Sequence, residues 1–497
     1  MSVEMGTASI ETARFDRAVP ATTPRVDDAG MMQTRTFTFA DQADFAALSG
    51  DTNPLHLDPL AARRLLFGRA IVHGVHLLLW ALDERVGATG LDRSLRSIKV
   101  QFTRPVGVNE RVECRWKRVA DTDEAELTSA GVTCAKVRVQ WAAASSAVHK
   151  SPAAGRPEQR DPRVLADSEI GASAGELALY LDPALAAKLF PRLTARTPAL
   201  QLAILATTTR LVGVECPGLN SVYFELELSA KDAQAVDVLQ YKVLRHSPAL
   251  ALTVIQLSAP GLAGSLKAFV RPQPKDVPSY ASLVDQVDPD EFRNQRALVI
   301  GGSRGLGAVT AKLLCAGGAS VRITYMKGRA EAERMVEEIG GHDRDAGAAE
   351  FDVLDARGER LGAALGSWAP THLYYFATPF IFSSAAGVFD ANRFEHFCAF
   401  YVTGFSAVVA QLAPRGLRQI LYPSSTALDE LPINMGEYAA AKAAGEAVCK
   451  FLERSHKGMR VHSVRFPRLA TDQTASLTAV KNADPVPVLL AALRGMR

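Results

Sequence analysis

Cysteine is scarce in this sequence, and neither a long apolar run nor a strong charge imbalance stands out. Six cysteines among 497 residues have no C-x-x-C spacing, which excludes a disulfide framework or thiolate metal site and favours reduced thiols in the cytoplasm. The formal net charge is only +3, so nucleic acid and membrane surfaces are not expected as partners. No apolar stretch is expected to reach membrane-spanning length, and acids in the first residues argue against a signal peptide.

The stretch Leu48–His56, LSGDTNPLH, concentrates polar side chains that a fold alone does not require. Pro54 pushes Asn53 towards extended geometry, so Asp51 and His56 are expected to face each other across a tight turn. A carboxylate and an imidazole in that position can share a water molecule, one accepting a proton while the other donates. The simpler interpretation is that Asp51 and Asn53 only cap the next helix.

A second pair, His73 and Gly74, precedes an apolar run typical of a buried helix. The N–H of Gly74 at the start of that helix could hold a carbonyl oxygen while negative charge develops on it. Together with Asp51 and His56, this donor fits the addition of water to a double bond conjugated with a thioester, or the reverse reaction.

The MaoC-like family of (R)-specific enoyl-thioester hydratases and dehydratases has a pattern that resembles residues 48–74, LSGDTNPLHLDPLAARRLLFGRAIVHG, with a further resemblance over 98–112. The resemblance implies a hotdog fold, in which a curved antiparallel sheet wraps one long helix. It also implies catalytic roles for Asp51, His56 and Gly74, supporting roles for Asn53 and His73, and substrates carried by coenzyme A or acyl carrier protein. No metal is expected.

Residues 177–272 repeat the layout of one helix and several strands without the motif, so we predict an α+β double hotdog, which is also where a homodimer would form. In the hydratase part of peroxisomal multifunctional enzymes, which it resembles, the catalytic half comes second; here it comes first. The predicted organisation is a flexible arm (1–30), a catalytic hotdog (31–143), a linker (144–176), a second hotdog (177–272), a linker (273–294) and a dinucleotide-binding domain (295–497).

The last domain begins with a strand, a glycine-rich turn and a helix, ALVIGGSRGLGAVTAKLL. The spacing G-x-x-x-G-x-G lets the backbone approach cofactor phosphates at the positive end of the helix. The candidate cofactor-binding residues of this turn are Gly301, Ser303, Arg304, Gly305, Leu306 and Gly307.

Ser425, Tyr438 and Lys442 form a second catalytic pattern. Tyr438 and Lys442 are four residues apart on one helix face, so the ammonium can lower the pKa of the phenol and also reach a cofactor ribose. Tyr438 could then donate a proton to a carbonyl while hydride arrives from a nicotinamide.

These features resemble the short-chain dehydrogenase/reductase family, which implies an α/β doubly wound (Rossmann) parallel sheet. Arg304 and Lys327 could bind a 2′-phosphate and no acid ends the second strand, so NADPH is favoured over NAD. Asp352 and Ala377 fall where the family contacts the cofactor. The sequence departs from the family at residues 375–378, YFAT in place of N-N-A-G, and at Tyr401, in place of a catalytic asparagine.

The two predicted sites share one intermediate, because a 3-oxoacyl reductase makes the hydroxyacyl thioester that a dehydratase converts to a trans-2-enoyl thioester. We therefore predict a bifunctional enzyme working in the reductive direction. The alternatives are the oxidative direction, with NAD, and a reductase domain that has become a binding or docking module. Arg63 and Arg64, beside the first loop, could meet coenzyme phosphates or an acidic carrier protein.

Overall fold

The first half of the protein is one long helix wrapped by antiparallel strands. The computed structural model describes residues 32–90, 92–143, 151–231, 237–355, 360–382, 387–477 and 480–496; the arm predicted for 1–30 lies outside them. The strands are β1 (Gln33–Thr36), β2 (Arg93–Phe102), β3 (Arg111–Val119), β4 (Thr122–Ser129) and β5 (Val132–Ala143). The helices are α1 (Phe39–Ser49), α2 (Pro54–Leu57), α3 (Pro59–Ala62) and α4 (Gly74–Thr89). The side chains of α4 are buried on nearly all sides, as its apolar sequence requires.

The second half repeats this plan. Its strands are β6 (Ala153–Ala154), β7 (Ala174–Ala178), β8 (Tyr180–Leu181), β9 (Ser221–Ala230), β10 (Val238–Ser247), β11 (Leu252–Ala259) and β12 (Leu262–Val270). Its helices are α5 (Asp167–Gly171), α6 (Pro183–Leu189), α7 (Pro191–Arg196) and α8 (Ala199–Arg210), with a π-helical turn (Leu211–Glu215) after α8 and a 3-10 turn (Pro248–Leu250).

One ten-stranded sheet joins the halves in the order β1-β3-β4-β5-β2-β9-β12-β11-β10-β7. The junction is the antiparallel pair β2 and β9, which runs from Ser97 opposite Ser229 to Gln101 opposite Glu225. Residues of α4 and α8 lie in the same hydrophobic core. The predicted double hotdog is therefore confirmed.

Both predicted linkers contain ordered structure. β7 pairs with β10 and extends the sheet, so the second hotdog begins before Leu177. In the second linker, α9 (Tyr280–Val284) places Tyr280 and Leu283 in the core of the dinucleotide-binding domain. Breaker-rich composition indicated loops here, but pairing of β7 with a distant strand and packing of α9 in a hydrophobic core decided the outcome.

The C-terminal domain is a doubly wound parallel sheet in the order β15-β14-β13-β16-β17-β18, as predicted. Its strands are β13 (Arg296–Ile300), β14 (Ser320–Tyr325), β15 (Ala346–Glu350), β16 (His372–Tyr375), β17 (Gln419–Ser425) and β18 (Arg460–Phe466). Its helices are α10 (Gly305–Ala316), α11 (Arg329–Gly340), α12 (Arg360–Leu365), α13 (Ala391–Cys398), α14 (Phe405–Leu412), α15 (Ala427–Glu430), α16 (Gly436–Ser455) and α17 (Pro485–Arg494). A π-helical turn (Ala399–Gly404) joins α13 to α14, and 3-10 turns cover Val353–Asp355, Ala413–Arg415 and Asp472–Thr474.

The continuous helical stretch Ala391–Arg415 is long and apolar enough, by length and composition, to cross a membrane. The expectation that no stretch reaches this length was therefore wrong. Phe405, Val408 and Leu412 of this stretch are fully buried in the core beneath the parallel sheet. Packing against that core accounts for its apolar sequence.

Candidate active sites

The loop that carries Asp51 and His56 is held between α1 and α2. α1 ends at Gly50, whose φ of +78° is a left-handed conformation that favours glycine. Asn53 caps α2, since its Oδ1 accepts a hydrogen bond from the N–H of Leu55 at 3.1 Å. Asn53 therefore does cap α2, but the cap uses only its Oδ1 atom and leaves its Nδ2 atom for other contacts.

The Asp51 carboxylate is 1% exposed and is bound by donors on both oxygens. The hydroxyl of Thr209 donates to Oδ2 at 2.6 Å, and the N–H of Asn53 donates to Oδ1 at 3.2 Å. Burial raises the pKa of Asp51, while His56 and these two hydrogen bonds oppose the rise. Asp51 thus combines a raised pKa with donors that favour its ionised form.

The imidazole of His56 is oriented by a backbone carbonyl. Its Nδ1 lies 2.8 Å from the Ile71 oxygen, so the neutral ring carries its proton on Nδ1 and leaves Nε2 as an acceptor. The ring stacks on His73, with centroids 3.8 Å apart. Burial lowers the pKa of His56, Asp51 opposes this, and Arg271 adds to the lowering. His56 is therefore a neutral ring whose Nε2 atom can accept a proton at this site.

His73 and Gly74 stand at the start of α4, where the predicted oxyanion donor belongs. Gln42 Oε1 accepts the backbone N–H of His73 at 3.0 Å and lies 2.8 Å from its Nδ1. A Cβ atom at Gly74 would lie 3.1 Å from the ring of Phe102, closer than ordinary packing. Sequence reasoning missed Gln42, because no local pattern connects it with His73.

The second hotdog supplies residues to this site. Sequence reasoning did not identify these residues. Besides Thr209, the second hotdog contributes Gly213, whose carbonyl accepts from Asn53 Nδ2 at 3.0 Å. A Cβ atom at Gly213 would overlap the Asp51 carboxylate. A glycine inside the helix-like run LAILATTTRLVGVE was an available signal, since such glycines often mark close packing.

Arg271, at the end of β12, is a buried cation beside the same loop. It is 2% exposed, and its Nη2 donates to the Leu219 oxygen at 2.5 Å. Asn53 Nδ2 donates to that same oxygen at 3.1 Å. The Nε and Nη1 atoms of Arg271 have no hydrogen-bond partner among the described residues, and burial lowers its pKa to about 10.

Asp51, His56 and His73 each offer a ligand atom, and these atoms lie within 4.8 Å of one another. This spacing suits a shared water molecule and would also suit a metal ion. The absence of a metal therefore stays a prediction.

The glycine turn of the C-terminal domain has the geometry that its spacing predicted. Gly301 and Gly305 have φ of +74° and +55°, and a Cβ atom at Gly307 would overlap the Gly301 carbonyl. The Cβ position of Gly301 lies 3.0 Å from the Ala377 nitrogen, so the turn packs on the chain after β16. Leu306 packs against the core below.

Only some of the candidate cofactor-binding residues lie close together in the structure. Ser303 Oγ lies 3.1 Å from the Cβ position of Gly328, which follows the exposed Lys327. Asp352 holds its own turn, since its Oδ1 accepts the N–H of Leu354 at 2.9 Å. The structure thus brings Ser303 next to Gly328, whereas Asp352 makes a local hydrogen bond within its own turn.

Arginines from the segment after His56 reach into the C-terminal domain. The Nη1 of Arg304 donates to the carbonyl of Arg63 at 3.0 Å. Arg64 forms ion pairs of 3.1 Å with Asp472 and 3.2 Å with Asp276. Both Arg63 and Arg64 therefore bind the neighbouring domain rather than standing free beside the loop, as their sequence position had indicated.

Ser425, Tyr438 and Lys442 come together at the end of β17 and on the adjacent α16. Burial raises the pKa of Tyr438, and a hydrogen bond with Ser425 opposes the rise. Lys442 Nζ donates to the Pro423 oxygen at 2.6 Å, and burial lowers its pKa to about 7. The expectation that Lys442 lowers the pKa of Tyr438 is not met here, because burial of the phenol dominates.

Tyr401, in place of the family's asparagine, lies between these groups. Lys442 Nζ is 3.9 Å from the centroid of the Tyr401 ring, a cation–π contact. The Tyr401 ring also meets Tyr438 edge-on, with centroids 5.8 Å apart, and its hydroxyl hydrogen-bonds to Thr378. An aromatic ring thus covers the face of Lys442 where an amide was expected.

Two families match separate parts of this chain. The MaoC like domain matches residues 24–138, and the short chain dehydrogenase matches residues 295–367. The chain therefore contains a MaoC-like dehydratase domain and a short-chain dehydrogenase domain.

Individual relatives cover only one part each. The (R)-specific enoyl-CoA hydratase of Aeromonas caviae is 54% identical over 44 residues, which are 9% of this chain and 33% of that protein. The cyclic-di-GMP-binding biofilm dispersal mediator protein of Escherichia coli K12 is 27% identical over 186 residues, 36% of this chain and 76% of that protein. A solved short chain dehydrogenase from Burkholderia cenocepacia J2315 in complex with NADP is 27% identical with a TM-score of 0.37, over 40% of this chain and 89% of that one.

Proposed function

We propose that this chain is a bifunctional enzyme for (R)-3-hydroxyacyl thioesters of coenzyme A or acyl carrier protein. One site reduces 3-oxoacyl thioesters with NADPH, and the other removes water to give, or adds water to, trans-2-enoyl thioesters. The proposal rests on one observation above all: a buried Asp51 beside a half-buried His56 and a buried Tyr438–Lys442 pair occur in one chain. The product of the second pair is the substrate of the first.

In the hydration direction, the water lies between Asp51 and His56. The Nε2 atom of His56 or the Asp51 carboxylate takes a proton from the water, and the oxygen of that water bonds to C3 of the enoyl group. The group that took the proton then gives it to C2, so one water is added across the double bond and both groups return to their starting protonation states. The N–H of Gly74 stabilises the thioester oxygen while the enolate-like charge is present.

In the redox site, Tyr438 protonates the carbonyl oxygen of the substrate, and Ser425 orients that oxygen. Bound NADPH would supply the hydride. The glycine turn fits such a cofactor, because Gly305 begins α10 and no described residue beyond its neighbours in the chain lies within 4 Å of its Cβ position, which leaves the start of the helix open to phosphates. Ser303, Arg304 and Lys327 provide donors for a 2′-phosphate, which supports NADPH over NADH and hence the reductive direction.

A second candidate function is hydration alone, with a C-terminal domain that binds but does not reduce. Tyr401 favours it, because its ring covers Lys442 at 3.9 Å where the relay of the resembling family has an amide.

The test is mass spectrometry of the products formed from a short 3-oxoacyl thioester with NADPH, with NADH in parallel. Formation of both hydroxyacyl and enoyl products supports the bifunctional enzyme, and a preference for NADH would move the proposal to the oxidative direction. Hydration of added enoyl thioester without any reduction would instead support the second candidate.

Two variants separate the sites. Asp51→Asn should stop at the hydroxyacyl thioester, whereas Tyr438→Phe should hydrate enoyl thioester but reduce nothing. An equal mixture of both variants should again convert the 3-oxoacyl substrate to enoyl product. Loss of both activities in either single variant would contradict two independent sites.

A further inference from the structure

The side chain of Arg63, a residue of the MaoC-like domain, contacts the C-terminal domain. Arg63 follows α3 in the segment between His56 and Ile71, and its Nη2 forms an ion pair with Glu331 in the first turn of α11. Its side chain is only 13% exposed. A side chain of the MaoC-like domain is thus buried against the start of a Rossmann helix.

The guanidinium lies at the point where the glycine turn meets the end of the second parallel strand. From the Cβ position of Gly328, Arg63 Nη2 is 2.7 Å away and Ser303 Oγ is 3.1 Å away. The carbonyl of Arg63 also binds Arg304, the next residue of the turn, at 3.0 Å. Arg63 is therefore hydrogen-bonded to Arg304 and lies on the same side of Gly328 as Ser303, and both of these turn residues are proposed to bind the 2′-phosphate.

The hydrogen bonding of the arginines around this point is incomplete. The guanidinium groups of Arg63 and Arg304 lie near two carboxylates, and both are already paired: Glu331 with Arg63, and Asp472 with Arg64. The Nε–H of Arg63 is buried without a hydrogen-bond partner among the described residues. A buried donor in a cationic cluster is satisfied best by an anion with several oxygens.

We propose that Arg63 of the MaoC-like domain completes the binding site for the 2′-phosphate of NADPH held by the Rossmann domain. This inference rests on the proposed redox function. The phosphate accepts from the Nε–H of Arg63 while Glu331 holds the guanidinium in place through Nη2. NADH has a 2′-hydroxyl in place of the phosphate and offers no negative charge to the Arg63 guanidinium. Arg63 therefore raises the affinity for NADPH relative to NADH.

The test measures cofactor binding by the full chain, without thioester. Titration of NADPH and NADH fluorescence gives the dissociation constant of each for the wild type and for Arg63→Gln. A lost hydrogen bond to a doubly charged group weakens binding by about 10- to 100-fold. We expect a loss of that size for NADPH and less than about a two-fold change for NADH.

Two arginines of the same segment serve as matched controls. Arg64→Gln removes ion pairs to Asp472 and Asp276 and so loosens the same domain contact. Arg69→Gln removes a pair with Glu110 inside the MaoC-like domain. Both variants should bind NADPH within about three-fold of the wild type, and unchanged melting temperatures without cofactor would show that all three variants fold.

Each other outcome has one meaning. Wild-type NADPH affinity in Arg63→Gln overturns the inference and leaves the redox function in place. An equal loss in Arg64→Gln also overturns it, because domain contact alone would then explain the effect. Failure of the wild type to bind either cofactor would remove the proposed redox function itself.

Discussion

Thr209 donates a 2.6 Å hydrogen bond to the Asp51 carboxylate across 158 positions of sequence. Asp51 belongs to the half that carries the motif, and Thr209 to the half that lacks it. The second hotdog is therefore more than a partner that closes the sheet, since its helix α8 supplies a donor to the candidate catalytic acid.

Replacing Thr209 should shift the pH dependence of hydration. The hydroxyl favours the ionised form of Asp51, so Thr209→Val should raise the pKa of Asp51 further. If the carboxylate is the active form, the acidic limb of kcat/KM for enoyl hydration moves to higher pH by about one to two units. Thr209→Ser keeps the hydroxyl and should preserve the wild-type profile. An unshifted limb in Thr209→Val would mean that Asp51 does not control it.

Gly213→Ala should damage the hydration site selectively. The new methyl group would overlap the Asp51 carboxylate, and overpacking of this kind costs about 1–3 kcal/mol. We expect hydration to fall at least about ten-fold, because a displaced carboxylate loses its alignment with His56. Gly90→Ala, at a position with open space for a Cβ atom, controls for loss of a glycine, although its φ of +65° adds modest strain. Affinity for NADPH should be unchanged, and its loss would point to general unfolding.

Lys442 should make the stability of the cofactor-free protein depend on pH. Burial lowers its pKa from 10.5 to about 7, so between these values the folded lysine is neutral while the unfolded one is protonated. The unfolded state then binds more protons, and the contribution of Lys442 to stability rises with pH across this window. Melting curves should show Lys442→Met gaining most over the wild type near pH 6 and least near pH 9. A difference that stays constant with pH would contradict the lowered pKa.

Chelation should leave hydration intact. Asp51, His56 and His73 are close enough to hold a metal ion, and the hydrogen bonds of the two Nδ1 atoms to Ile71 and Gln42 leave both Nε2 atoms able to bind one. The expectation rests instead on the proposed water step, in which Asp51 and His56 transfer the proton and no metal is needed. Dialysis against a chelator followed by an assay with enoyl thioester checks this expectation. Lost activity that returns with an added divalent metal would make the triad a metal site.

The local motifs could be predicted from the sequence because their residues are only a few positions apart along the chain. In D-x-N-P-x-H, proline geometry and six consecutive positions place Asp51 near His56, and in Y-x-x-x-K one helical turn places Tyr438 beside Lys442. The glycine turn likewise needs only the backbone conformations that glycine permits. The double hotdog was predicted from the family resemblance and from the repeated layout of one helix and several strands in residues 177–272, and the parallel sheet from the alternation of strands and helices.

The sequence by itself thus determined the folds, the catalytic loop, the glycine turn and the tyrosine–lysine pair. Only the tertiary structure decided that Thr209 and Gly213 meet Asp51, that β7 joins the sheet before Leu177, and that Arg63 crosses to Gly328. The physical reason is that such contacts depend on strand register and domain packing between distant segments. Local propensity carries no information about which side chains those contacts bring together.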